Sequence, residues 1–150
     1  MILEGQSRRE FFLDLKWSGS SKYRYQEAKE GESLQLAAYG WLLTEKGPAF
    51  PPGGYYMLAQ GEMFASPCSF LHGIHIVQEL NLEEIWRQAL RAYDSRLNEL
   101  ERGLVLAAGL EESETDEESR EDCEADSDQL ALKAQCSWCD YANLCGAPKE

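Results

Sequence analysis

Phe11-Phe12-Leu13-Asp14-Leu15-Lys16-Trp17 and, further on, Leu34-Gln35-Leu36-Ala37-Ala38-Tyr39-Gly40-Trp41-Leu42-Leu43 are the stretches that decide the fold. The first, from Glu10, reads as a β-strand of large apolar residues interrupted by charge. Strand side chains alternate, so Phe11, Leu13, Leu15 and Trp17 are expected on one side and Phe12, Asp14 and Lys16 on the other. One face is then core and the other carries charge. Met1 to Glu4, with a polar turn at Gly5-Gln6-Ser7-Arg8, reads as the partner arm of a β-hairpin. In the second stretch, Ser33 to Thr44 predicts a helix whose Leu34, Ala37, Ala38, Trp41 and Leu42 form a buried stripe. Gly47-Pro48 ends it.

The segment between them, SGSSKYRYQEAKEGE, is polar and punctuated by Gly and Ser, so a loop is expected. Its Lys22-Tyr23-Arg24-Tyr25 run can touch a phosphate or a base, although a solvated loop is the plainer reading. Pro51-Pro52-Gly53-Gly54 reads as a turn, and Tyr55 to Gln60 and Gly73 to Gln78 as short strands. From Asn81, a capping residue with Glu84 three positions on, a long helix follows. Its apolar face is Ile85, Trp86, Ala89, Leu90, Tyr93, Leu97, Leu100 and Leu104. Strands alternating with helices predict an α/β sheet flanked by helices.

The 150 residues carry a net charge of −13, at first sight a poor match for a nucleic-acid partner. Residues 111 to 128 hold eleven acids and one arginine, which leaves only −3 on the other 132. The block has almost nothing to bury and reads as a solvated linker, so three parts are expected: 1–108 a folded core, 109–128 an acidic disordered linker, and 129–150 a cysteine-cluster segment. With 43% hydrophobic and 11% aromatic residues the core can pack. No apolar run reaches membrane-spanning length and the start lacks a signal-peptide layout, so a cytoplasmic protein without membrane contact is expected.

Asp14-Leu15-Lys16 sets a carboxylate and an ammonium on the same side of one strand, about 7 Å apart along the chain. Phosphodiester hydrolysis needs an acid to hold Mg²⁺ or Mn²⁺ at the scissile phosphate and a cation to steady the water and the developing charge. Taken singly, such a tripeptide is most often a surface ion pair. Nineteen residues beyond Lys16 comes Gln35, with Tyr39 on the same helix face four residues later. Their amide and hydroxyl can reach a phosphate or hold the strand lysine, or merely form a helix flank whose polar tips meet water. His72 and His75 fall on opposite faces of a strand and cannot share a metal.

Cys136, Cys139 and Cys145 form C-x2-C-x5-C, a spacing that gathers thiolates on a metal or cluster and leaves a fourth ligand to Cys68, Cys123, a histidine or sequence outside the chain.

LDLKW with Asp14 and Lys16, LQLAAYGWLL with Gln35 and Tyr39, and CSWCDYANLCG with Cys136, Cys139 and Cys145 together resemble the RecB and AddB nucleases of the PD-(D/E)XK superfamily. The resemblance covers residues 11 to 45 and 136 to 146 well and the middle loosely. It implies a restriction-endonuclease-like mixed sheet flanked by helices, and a Mg²⁺- or Mn²⁺-dependent deoxyribonuclease acting on DNA in repair or recombination, with a helicase subunit or fused helicase domain as partner. It further implies Asp14 as metal carboxylate, Lys16 as catalytic lysine, and Gln35 and Tyr39 beside them. Cys136, Cys139 and Cys145 would join an upstream cysteine around a [4Fe-4S] cluster, with zinc or an empty site as alternatives. Two departures stand out: the family's upstream Asp, usually in a G-x-x-D pattern, and its first cluster cysteine are both missing. A hairpin centred between Gln6 and Ser7 would put the missing acid just before Met1, so the expectation is a domain truncated at its N-terminus and weak or inactive alone. The competing readings are a non-catalytic DNA-binding or assembly module of the same fold, and a zinc-binding interaction module.

Overall fold

A computed structural model describes residues 10–17, 19–44, 49–104, 129, 130 and 140. The first hairpin arm, Glu4, the acidic block and the cluster cysteines Cys136, Cys139 and Cys145 lie outside the described residues. The chain divides into two compact units, Met1–Ala89 and Leu90–Glu150.

In the first unit four strands, β1 (Phe12–Lys16), β2 (Gly53–Met57), β3 (Glu62–Ala65) and β4 (His75–Ile76), form one sheet in the order β1-β2-β3-β4. The pairing is parallel, then antiparallel, then parallel, so the sheet is mixed. The parallel β1/β2 pair requires a crossover, which α1 (Lys22–Lys29) and α2 (Leu34–Thr44) supply. The chain continues from β4 into α3 (Leu82–Glu101), which begins as the sequence predicts: the Asn81 side chain accepts a hydrogen bond from the Glu84 amide at 3.2 Å.

Sheet register determines which side chains share a face. Asp14 lies beside Tyr55, Tyr55 beside Phe64, and Phe64 beside His75, so one row crosses all four strands on a single face. On that face Tyr55, Met57 and Phe64 are buried. On the face expected to be core Phe11 and Ala65 are buried, but Leu15 is 58% and Trp17 83% exposed, so that face is covered only in part. The correction to the sequence reading is that the charged face is covered as well. Asp14 and Lys16 tolerate the covered face because they neutralise each other, whereas pattern alone assigns charge to water.

The polar segment after β1 is also a helix rather than a loop. Only Ala28 of α1 is fully buried, so no apolar stripe announces it; Arg24 to Glu27 and Gln26 to Glu30 side-chain pairs support it, and Gly31, at φ 72°, ends it. In α2 the buried residues are Leu36, Ala37 and Gly40, a stripe rotated from the expected one. Trp41 and Leu42 are largely exposed, and Trp41 stacks on Trp86 with ring centres 5.1 Å apart. The rotation follows from Gly40, where a Cβ would fall 2.2 Å from the Phe50 ring, so this flank lies closest to its neighbour. The strand expected to run to Gln60 stops at Met57, because a turn closed by Gly61 at φ 65° folds β3 back onto it. That hairpin was not anticipated, and the later strand is trimmed to His75 and Ile76. Of the α3 face only Leu82 and Ile85 are buried, while Leu90, Tyr93, Leu97, Leu100 and Leu104 are exposed.

Gly54 packs where β2 meets β3, and a Cβ there would lie 2.5 Å from the Phe64 carbonyl oxygen and 2.8 Å from the Ala65 Cβ. Backbone cannot retreat as a side-chain tip can. Gly54→Ala should therefore lower stability by about 2 kcal/mol in urea unfolding, whereas Gly19→Ala, with open space around it, should leave the midpoint unchanged.

Candidate active site

Strand β1 aims Asp14 and Lys16 to the covered face, and the Lys16 ammonium lies 2.9 Å from Asp14 Oδ2. The Lys16 side chain retains only 21% of its exposure and that of Asp14 13%. Lys16 Nζ also donates to Gln35 Oε1 at 2.7 Å, and Gln35 Nε2 donates to the Tyr39 hydroxyl oxygen at 2.8 Å. Strand and helix are thus joined by one chain of polar contacts, Asp14 to Lys16 to Gln35 to Tyr39. One turn of α2 separates the last two, which is why their tips meet. These contacts fix the amide orientation of Gln35, since its oxygen must face the ammonium and its nitrogen the phenol.

The chain is polarised. Asp14 Oδ2 is buried and, although close to Lys16, accepts no well-directed hydrogen bond. At the other end Tyr39 is 40% exposed, and because its oxygen accepts from Gln35 its own proton is left to donate outward. A buried acid oxygen with unspent acceptor capacity thus lies at one end and an accessible donor at the other.

Three further residues belong to this neighbourhood. Tyr55, beside Asp14 in the register and fully buried, carries the Lys16 ammonium over its ring at 5.8 Å and the Arg24 guanidinium at 6.0 Å. Glu27 accepts a 2.6 Å hydrogen bond from Arg24 and a longer, 3.5 Å contact from the Tyr55 hydroxyl. Each carboxylate here has its own cation, Asp14 with Lys16 and Glu27 with Arg24. Arg24 and Glu27 went unnoticed in sequence because their segment reads as a loop; their spacing of three, which suits a helix ion pair, was the available signal. Cys136, Cys139 and Cys145 lie outside the described residues, and Cys68 is half-buried and in no disulfide among the described residues. His75 contacts Tyr25, while His72 is exposed.

The mixed sheet and its three flanking helices make an α/β protein with a restriction-endonuclease-like arrangement. A family model of the PD-(D/E)XK nuclease superfamily matches residues 2–146, and the chain belongs to that superfamily. Searches of curated proteins and of solved structures return no match. Among the described residues no helix is long and apolar enough to cross a membrane.

Burial, and next the Glu27 carboxylate, push the Tyr55 phenol above its ordinary value of 10.0, with Asp14 adding to the same direction. The folded protein keeps this proton where the unfolded chain loses it, so the associated stability is complete below about pH 10 and is lost as pH rises beyond it. Tyr55→Phe should flatten the alkaline fall of the urea midpoint between pH 9 and 11. Identical slopes for the two proteins would contradict this placement of Tyr55.

Proposed function

We propose that the chain is the nuclease portion of a Mg²⁺- or Mn²⁺-dependent deoxyribonuclease, of RecB and AddB type, hydrolysing phosphodiester bonds in DNA repair or recombination. The contact chain from Asp14 through Lys16 and Gln35 to Tyr39 carries this reading. Superfamily membership supports it, and Asp14-Leu15-Lys16 supplies the (D/E)-X-K part of the pattern in the superfamily name.

Asp14 is the residue that would hold a divalent ion, although its buried Oδ2 already carries the Lys16 ammonium at 2.9 Å and no cluster of three metal-ligating side chains gathers among the described residues, so water and substrate phosphate would supply the rest of the shell. Mg²⁺ is commonly held by one or two carboxylates together with waters and substrate phosphate, so Asp14 as the one protein acid would hold it weakly and would need the DNA phosphate to complete its shell. When bound, the ion polarises the scissile phosphate and makes water more acidic.

The protein residues then have separate tasks. The Lys16 ammonium steadies negative charge as the water oxygen bonds to phosphorus and the bond to the leaving sugar oxygen breaks, that oxygen taking up a proton. Gln35 holds the ammonium in place through its amide oxygen, and Tyr39 fixes Gln35 while offering its own proton to a non-bridging phosphate oxygen. Gln35 is a positioning residue, since its contact is with the lysine. Cys136, Cys139 and Cys145 are proposed as ligands of a [4Fe-4S] cluster, on their spacing, and a helicase subunit or fused helicase domain as the partner that delivers DNA.

End-labelled single-stranded and duplex DNA incubated with Mg²⁺ should be cleaved only slowly, as expected of a site that lacks the family's upstream Asp, and EDTA should stop the reaction. Lys16→Ala and Asp14→Ala should each slow cleavage by about a hundredfold or more. Robust cleavage by Lys16→Ala contradicts the proposal, and DNA binding without cleavage by the unaltered chain favours the non-catalytic module.

The cysteine proposal has its own test in anaerobically purified protein. Because Cys136, Cys139 and Cys145 supply three of the four ligands, the chain alone is expected to hold little iron or to recruit a substitute ligand, and iron and sulfide in equal amounts are expected once a fourth cysteine is supplied. Stoichiometric zinc without sulfide would replace the cluster by a zinc site and favour the interaction module.

A further inference from the structure

The contacts of Asp14 and Lys16 leave Lys22 and Tyr25 of the Lys22-Tyr23-Arg24-Tyr25 run unused. Helix α1 lays the Tyr25 ring across the far end of the sheet row that begins at Asp14. Its centre is 5.7 Å from that of Phe64 in an edge-on arrangement and 5.0 Å from that of His75. The Tyr25 hydroxyl lies 3.2 Å from His75 Nε2, which holds the two rings as a preformed pair. A cavity of about 700 Å³ opens beside them, with Lys22, Tyr25, Tyr56, Glu62, Phe64 and His75 in its wall.

The chemistry of this wall selects its ligand. Aromatic surface offers a stacking platform that any base can use. Glu62 accepts a hydrogen bond from Ser21 at 2.7 Å through one carboxylate oxygen, and the other can accept from a base amino group. The same carboxylate repels a phosphate, so the cavity suits a base and not the backbone. Lys22, exposed and in no ion pair among the described residues, is the natural contact for the adjoining phosphate. His75 stands three strands from Asp14 in the register, roughly 14 Å at about 4.8 Å per strand. That span corresponds to about four nucleotides of stacked strand at about 3.4 Å each.

We infer that this cavity binds one unstacked nucleobase of single-stranded DNA, a few nucleotides from the phosphate presented to Asp14 and Lys16. The inference rests on the nuclease reading of that site and adds to it a strand-gripping subsite built from Lys22, Tyr25 and His75. Binding there orders the strand before cleavage and favours frayed or single-stranded ends over intact duplex, whose bases remain stacked and paired.

The test is fluorescence anisotropy of a labelled oligodeoxythymidine with the 150-residue chain in EDTA, where no cleavage intervenes. Tyr25→Ala should weaken binding about tenfold through lost stacking, and Tyr25→Phe, which keeps the ring and loses only its bond to His75, should weaken it clearly less. Because Tyr25 also packs on Phe64, the exposed Lys22→Ala provides a second arm: it should lessen the dependence of log affinity on log salt by about 0.7, the value for one phosphate contact on a single strand. Blunt duplex should compete poorly. Unchanged binding in both Tyr25→Ala and Lys22→Ala, equal losses in Tyr25→Ala and Tyr25→Phe, or equal competition by blunt duplex overturns the subsite while leaving the nuclease reading intact. Failure of the unaltered chain to hold any DNA counts against both.

Discussion

The Lys16 ammonium is the constraint on which the rest of the site depends. It lies between the Asp14 carboxylate and the Gln35 amide on a sheet face covered by helices. Removing a charge from water costs several kcal/mol unless it is paired and hydrogen-bonded, so the position is tenable only with both neighbours in place. Meeting that requirement sets the amide orientation of Gln35, on a helix whose rotation is set by the close approach of Gly40 to Phe50. The same arrangement suits chemistry on a phosphate: a cation held in place but not saturated, beside an acid whose buried oxygen retains acceptor capacity.

Around this centre the charges are matched locally. Arg24 accompanies Glu27 as Lys16 accompanies Asp14, and Tyr55 lies between the two pairs with both cations over its ring. The strongly negative total charge therefore says little about the surface that meets DNA, because most of it resides in residues 111 to 128. Net charge describes a whole chain, whereas a phosphate responds to the few groups within a Debye length, about 8 Å at physiological salt.

Much of this site was legible in sequence because its two halves sit on elements with clear periodicity. Asp14 and Lys16 are two apart on a strand, and Gln35 and Tyr39 four apart on a helix, so each pair had to share a face whatever the rest of the fold did. What could not be read was which face is covered. Alternation separates Phe12, Asp14 and Lys16 from Phe11, Leu13, Leu15 and Trp17 but does not say where the helices lie; Phe11 is buried as expected, whereas Leu15 and Trp17 are exposed and the charged side is covered. Helix α1 was hidden for a related reason: Tyr25 packs on rings contributed by β3 and β4, so its inward face is not marked by apolar spacing within the helix itself. The β2/β3 hairpin was missed because Glu62, Met63, Phe64 and Ala65 make a four-residue strand too short for periodicity to register.

The division of labour between carboxylate and lysine is the central claim, and metal binding separates the two more directly than turnover does. Mn²⁺ titration followed by electron paramagnetic resonance, with a phosphorothioate oligonucleotide present, should detect a bound ion in the unaltered chain, its loss in Asp14→Asn, and its retention in Lys16→Ala. An ion that survives Asp14→Asn with undiminished affinity would contradict the account, because the buried carboxylate would then not be the group that holds it.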